Sequence, residues 1–160
     1  MVPSEPTFDV ASAHRYFSGK CFNRVWELLQ KPERTADEDE EMLRTSYASL
    51  WHWTQRPDCT DTKWSVGYWQ LSRVYALLGQ AAAADRYAQL SLKHATATDV
   101  PPFFRGYAYE ALARAASVAG NKERTTEYLI ASRAAAAQIE REPDRETLVA
   151  DLKTIAPEAW

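Results

Sequence analysis

Two histidine–cysteine pairs have residue types and a spacing that could bind a metal. His14 and Cys21 are seven residues apart on one predicted helix face, and His52 and Cys59 repeat that spacing. Four such ligands could close a tetrahedral zinc site. Structural zinc pairs usually lie closer in sequence, and Cys59 follows Pro57, so we expect no metal and no cofactor. Two ordinary thiols are the expected state of the cysteines, and a disulfide is the alternative.

The familiar spacings of catalytic residues are absent. The sequence has no glycine-rich phosphate loop, no CxxC pair, and no HExxH, ExxH or GxSxG motif. We therefore predict a protein that is not an enzyme and has no catalytic residues.

The segment SLWHWTQRPDCT concentrates aromatic side chains beside a histidine and an arginine. Helical spacing puts His52 on the side of its helix opposite Leu43, so the aromatic rings face more than one direction. Packing of Trp51 and Trp53 against neighbouring helices is the commoner arrangement. The alternative is a small-molecule or metal pocket of a sensor or enzyme, which Trp51, His52, Trp53 and Arg56 would line.

The stretch from Trp64 to Gly79 predicts an amphipathic helix that ends at a glycine. Its apolar and small residues share one broad stripe: Trp64, Gly67, Tyr68, Leu71, Val74, Tyr75 and Leu78. Helical composition resumes at once, with Ala84, Ala88 and Ser91 small enough for close packing, so the two helices should be antiparallel neighbours. A matching stretch ends at Gly120, 41 residues after Gly79.

These positions resemble the tetratricopeptide repeat (TPR), a unit of two antiparallel helices. The matching residues are Tyr68, Leu71, Ser72, Tyr75, Gly79, Ala84 and Ser91, then Tyr109, Leu112, Ala113, Ala116, Gly120 and Ser132. The spacing exceeds the family's usual period of roughly 34 residues, so the resemblance is to TPR-like proteins. The segments SRVYALLG and AYEALARA are also similar to uncharacterised bacterial TPR-like proteins. The resemblance implies an all-α, right-handed stack of antiparallel helical hairpins.

The helix signals divide the chain into about seven helices within one domain, residues 1–160. Residues 1–7 form a frayed lead-in, hairpins cover about 8–55, 61–96 and 103–139, and a capping helix covers about 144–155. Thr35 and Glu38 have capping-box spacing, Thr60 or Asp61 can cap the third helix, and Asn121 can cap the sixth.

The first hairpin shows its own inward-facing pattern. On its first helix one stripe contains Val10, Ala13, Phe17, Cys21, Val25 and Leu28, and on its second helix the inward residues are Leu43, Tyr47, Leu50 and Thr54. We expect these side chains to form the core of the hairpin.

In the TPR family, ligands usually lie in a concave groove made by the first helix of each hairpin. The resemblance carries that role to seven residues of this chain: Val66, Trp69, Arg73, Leu77, Tyr107, Glu110 and Arg114. Arg73 and Arg114 would occupy equivalent places and hold a carboxylate or an acidic peptide, with Trp69 as an apolar anchor. Glu110 could instead pair with Arg114 on a solvated face, since they have i, i+4 spacing. We expect Trp69 and both arginines to be uncovered on a shared hollow.

The composition and net charge of the chain favour some classes of binding partner and disfavour others. The net charge is −3, the sequence pI is about 5.6 and there is no basic run, so nucleic acid is not an expected partner. No apolar run has the length of a membrane span and the first residues lack a signal sequence, so we expect a cytoplasmic protein. Six tryptophans and eight tyrosines suggest aromatic surface for a homodimer or a homo-oligomeric scaffold. A protein or peptide partner, in particular an acidic one, is the leading expectation.

Overall fold

The computed structural model describes residues 7–157, and this part of the chain is all-α with no strand. Its seven helices are α1 Val10–Leu29, α2 Ala36–Thr54, α3 Asp61–Leu77, α4 Ala81–Ala95, α5 Pro102–Val118, α6 Lys122–Ala136 and α7 Glu142–Lys153. The predicted lead-in lies outside the described residues, apart from Thr7. In the described part no helix is both long and apolar enough to cross a bilayer.

The chain divides after Cys59 into two compact units, which we call the N-terminal unit and the C-terminal unit. The N-terminal unit is a hairpin in which α1 packs against α2. The predicted capping box begins α2: the Glu38 amide donates to Thr35 Oγ1 at 3.3 Å, and the Thr35 amide donates to Glu38 Oε2 at 2.9 Å. The local sequence signal therefore places the start of α2 correctly.

The inward face of the N-terminal hairpin differs from the predicted one. Val25 and Leu28 are fully buried, but Val10 and Phe17 of the same predicted stripe are each 42% exposed. On α2, Tyr47 is 41% exposed, and the buried residues are Met42, Ser46, Ser49 and Leu50. The serines allow close approach of the helices, because Ser49 Oγ donates to the Ser18 carbonyl at 2.8 Å. With small residues in this contact, Tyr16 and Phe17 of α1 and Tyr47 and Trp51 of α2 remain exposed.

The C-terminal unit contains two hairpins that end alike. Gly79 and Gly120 both have φ of +72°, the left-handed conformation that favours glycine. After each glycine an amide reaches back to the end of the helix: the Gln80 amide donates to the Tyr75 carbonyl and the Asn121 amide to the Ala116 carbonyl, both at 2.9 Å. Both glycine stops were predicted from the sequence.

The cross-helix contacts of the two hairpins also repeat. Ser91 Oγ of α4 donates to the Ser65 carbonyl of α3 at 2.9 Å, and Ser132 Oγ of α6 donates to the Gly106 carbonyl of α5 at 2.8 Å. The second contact lies 41 positions after the first on both helices. Small residues at these places let each pair of helices pack closely, as predicted, and α5 then packs against both α3 and α4.

Helix α7 covers α5 and α6. Leu148 and Leu152 of α7 are fully buried and join a cluster with Ala113, Leu129 and Ile139. This helix has the place expected for the capping helix.

Candidate interaction surface

A buried carboxylate organises the side chains that the sequence placed in a groove. Glu110 of α5 is fully buried and its two oxygens receive four hydrogen bonds. Arg73 Nη1 donates to Oε1 at 2.8 Å, Arg114 donates to the same oxygen from Nε at 2.8 Å and Nη2 at 2.6 Å, and Trp69 Nε1 donates to Oε2 at 3.0 Å. We call Trp69, Arg73, Glu110 and Arg114 the Glu110 cluster.

Helix α7 adds a second carboxylate beside the Glu110 cluster. Asp151 Oδ1 lies 3.7 Å from Arg73 Nη2, and its Oδ2 accepts from the Tyr107 hydroxyl at 3.0 Å. Arg114 Nη2 also donates to Thr154 Oγ1 at 2.9 Å. Burial, reinforced by Asp151, raises the pKa of Tyr107 well above its usual value. Two carboxylates thus balance two guanidinium groups.

The expectation that Trp69 and the two arginines are uncovered is wrong. Trp69 is 8% exposed, and the arginine side chains are 22% and 17% exposed. They are covered because α5 packs against α3 and the guanidinium groups turn toward Glu110 rather than toward solvent. The predicted i, i+4 pairing of Glu110 with Arg114 is present, although Glu110 is buried rather than solvated.

The other predicted groove residues have different surroundings. Val66 is half-buried, and Tyr107 packs edge-on against Trp69 with ring centroids 5.4 Å apart. Leu77 is 46% exposed at the end of α3. Of the seven residues, Leu77 alone belongs to the exposed class in the described structure.

The four residues of the alternative pocket separate into two groups. The Arg56 guanidinium lies 3.7 Å from the Trp53 ring centroid, and the Arg56 side chain donates to Asp58 Oδ1 and Ser18 Oγ, both at 2.9 Å. The hydrogen bond from Arg56 lowers the pKa of Asp58 to about 2. Trp51 and His52 contact His14 and Phe17 of α1, whereas Arg56 contacts Ser18 of the same helix.

The structure brings the two histidine–cysteine pairs together only in part. His14 Nδ1 and His52 Nδ1 are 2.8 Å apart, whereas Cys21 and Cys59 are not joined by a disulfide bond. No group of three or more potential metal ligands occurs within residues 7–157.

Around the two histidines, the N-terminal unit exposes large apolar side chains. Trp51 is 55% exposed, Tyr16 57% and Phe17 42%. The rings touch one another: Tyr16 lies edge-on to Phe17, Phe17 lies 5.4 Å from His52, and Trp51 lies 5.2 Å from His14 between ring centroids. We call Val10, Tyr16, Phe17 and Trp51, with the histidine pair between them, the aromatic patch.

Cations slightly outnumber carboxylates around the aromatic patch, although the whole chain is acidic. Residues 10–20 and 46–56 contain Arg15, Lys20 and Arg56 and no aspartate or glutamate, while Asp9 precedes the first range and Asp58, which pairs with Arg56, follows the second. The acidic residues of the hairpin lie mostly near its other end, at the start of α2. Sequence analysis missed this surface because Val10 and Phe17 fit a core stripe. The charge asymmetry along the hairpin was the available signal.

Comparison of the chain with protein-family models, with curated proteins and with solved structures gave no match. The geometry of the described residues is therefore the basis for assigning a function.

Proposed function

We propose that this chain is a TPR-like, non-enzymatic interaction module whose aromatic patch binds an acidic segment of a partner protein that also carries apolar side chains. The observation behind the proposal is the exposure of Tyr16, Phe17 and Trp51 at one end of the α1–α2 hairpin. Apolar residues scattered singly are normal on a protein surface, whereas adjacent exposed apolar residues that form a patch are typical of binding surfaces.

The aromatic patch has the composition of an interface centre. Tryptophan and tyrosine are enriched among the residues that dominate binding free energy, since their rigid rings bury much surface at little cost in side-chain entropy. Trp51 and Phe17 both rest on the imidazole rings, so their positions are defined before a partner arrives. A prepositioned anchor loses less conformational entropy on binding.

Charge favours an acidic partner over a second copy of this chain. Arg15 and Lys20 lie on the same half of α1 as the aromatic patch, and Lys20 Nζ donates to the Tyr16 hydroxyl at 3.0 Å. In a symmetric dimer, the same patch of both copies would meet and the cations would face one another. A partner with carboxylates would complement them and associate faster.

Selection from a displayed library of random peptides at pH 7.5 tests the proposal. We expect the selected peptides to combine aspartate or glutamate with aromatic or aliphatic residues. Trp51→Ala should weaken their binding about 30-fold, the effect of losing a hot-spot anchor worth about 2 kcal/mol. Ile130→Ala is the matched control, because Ile130 is 60% exposed on α6 and its loss should leave binding unchanged.

Three outcomes would contradict the proposal. The first is equal binding by the Trp51 and Ile130 variants. The second is loss of binding in Leu77→Ala but not in Trp51→Ala, which would place the site on α3 and α5. The third is a concentration-dependent dimer in sedimentation velocity that Trp51→Ala abolishes, which would make a second copy the occupant.

A further inference from the structure

Two histidines share one hydrogen bond at the centre of the aromatic patch. His14 of α1 and His52 of α2 approach through their Nδ1 atoms, 2.8 Å apart, and their ring centroids are 5.0 Å apart. Phe17 and Trp51 pack on these rings. The contact therefore joins the two helices and supports the exposed aromatic side chains.

The number of protons decides whether this contact can exist. A neutral imidazole has one N–H donor and one acceptor nitrogen, so in a neutral pair one Nδ1 donates and the other accepts. A single added proton is compatible, because an imidazolium can donate to the remaining neutral ring. With two added protons both Nδ1 atoms carry hydrogen, and two like charges face each other at hydrogen-bond distance.

Among residues 7–157 no carboxylate forms a hydrogen bond or an ion pair with His14 or His52, so a doubly charged pair has no direct counterion. Arg15 and Lys20 are cations on the same helix, and Arg56 after α2 is held by Asp58. Asp9, at the start of α1, accepts hydrogen bonds from Ser12 Oγ and the Ala11 amide. Burial raises the pKa of the Cys21 thiol, so this side chain supplies no negative charge near pH 7.

We propose that the His14–His52 pair is a proton-operated latch: acidification separates the two rings, opens this end of the α1–α2 hairpin and releases the partner from the aromatic patch. The opening of the hairpin follows from the histidine contact and does not depend on the function proposed above. The release of a partner does depend on that function.

The direction of the pH effect follows from the folded state. Burial, and then repulsion from His14, lowers the pKa of His52 below its ordinary value. The unfolded chain therefore takes up this proton more readily, so the stability that the neutral pair contributes is present above about pH 6.5 and is lost as pH falls. His94, the third histidine of the chain, instead lies 2.6 Å from Asp61 Oδ1, a contact that protonation strengthens.

Backbone hydrogen exchange on the full chain tests the latch without any partner. Protection of amides within residues 11–20 and 47–55 should fall up to about tenfold between pH 7.5 and 5.5, after correction for intrinsic exchange rates. The α5–α6 hairpin should show no such change. His52→Gln, which cannot take up the second proton, should remove the pH dependence, and His14→Gln should do the same. The matched control His94→Gln should keep it.

Binding of a peptide selected at pH 7.5 supplies the second test. Its affinity should fall severalfold at pH 5.5 in 0.15 M salt for the native chain and stay constant for His52→Gln. Peptide carboxylates remain ionised at both pH values, so the change would arise in this protein. Tighter binding at pH 5.5 would overturn the release step, because it would mean that added charge attracts the peptide more than opening weakens it.

The exchange experiment and the binding experiment test different parts of the proposal, so a negative result in one can be told from a negative result in the other. Exchange protection that is independent of pH, or that changes equally in native protein and His52→Gln, would overturn the latch whatever the peptide does. A pH-dependent exchange signal together with no Trp51-dependent peptide would leave the hairpin opening supported and overturn both the docking function and the release step.

Discussion

The Glu110 cluster and the aromatic patch are built from similar residues, but the first is largely buried and the second is exposed. Each combines tryptophan with nitrogen-bearing side chains, arginines in the first and histidines in the second. In the C-terminal unit Glu110 accepts from Trp69 and both arginines, so the whole group can leave water. In the aromatic patch the nitrogen atoms face one another and the rings remain exposed.

This difference shows what decides whether aromatic and cationic residues become core or surface. Burying a guanidinium without a partner is costly, whereas a carboxylate that accepts several hydrogen bonds makes burial tolerable. Residues 10–20 and 46–56 contain no carboxylate that could serve in this way. Tyr16, Phe17 and Trp51 are exposed there, whereas Trp69 beside Glu110 is covered.

Removing the central carboxylate should have the largest effect on stability. Glu110→Gln removes the negative charge that two guanidinium groups share and replaces one acceptor oxygen by an NH2 donor, and we expect it to lower the free energy of unfolding by about 3 kcal/mol, as for breaking a buried ion pair. The matched control is Glu41→Gln, which breaks the half-exposed Arg24–Glu41 pair and should cost less than about 1 kcal/mol. Urea denaturation measures both. Equal, small losses would show that the Glu110 cluster is no better shielded from water than the surface pair.

Alanine substitution at one helical glycine in each unit compares the packing density of the two units directly. A Cβ added at Gly106 of α5 would lie 2.5 Å from Leu148 Cδ2 of α7, whereas nothing lies within 4 Å of a Cβ added at Gly19 of α1. Gly106→Ala should therefore destabilise by about 1–3 kcal/mol through overpacking. Gly19→Ala should stabilise by about 0.5–1 kcal/mol, because alanine favours a helix interior. Thermal denaturation of both variants gives the signs, and the same sign for both would contradict the difference in packing.

The smallest expected difference in stability is between alanine variants of two threonines at helix starts, one in each unit. Thr35 Oγ1 accepts from the Glu38 amide, but the Thr60 side chain makes no capping hydrogen bond. Thr35→Ala should cost about 1 kcal/mol, and Thr60→Ala should stay within about 0.5 kcal/mol of the native chain. Chemical denaturation monitored by circular dichroism resolves this difference. A larger loss at Thr60 would mean that its side chain acts through something other than the cap.

The sequence by itself determined the local features of this protein. Gly79 and Gly120 end helices because a left-handed residue closes the turn, and Thr35 with Glu38 begins one because their side chains bond nearby amides. Ala84, Ala88 and Ser91 are fully buried, as their size and spacing predicted. Each of these features depends on residues within a few turns of one another, which a single sequence displays.

Only the tertiary structure decided which apolar and charged side chains meet solvent. Helical spacing put Trp69 and Arg73 outside the core stripe of α3, but α5 covers that side and brings Glu110 to them from 37 to 41 positions away. Spacing also put Phe17 in a core stripe, but α1 and α2 meet through Ser18 and Ser49, and Phe17 is 42% exposed. Burial is set by the neighbouring helix and by the hydrogen-bond partners it supplies, and periodicity within one helix contains neither.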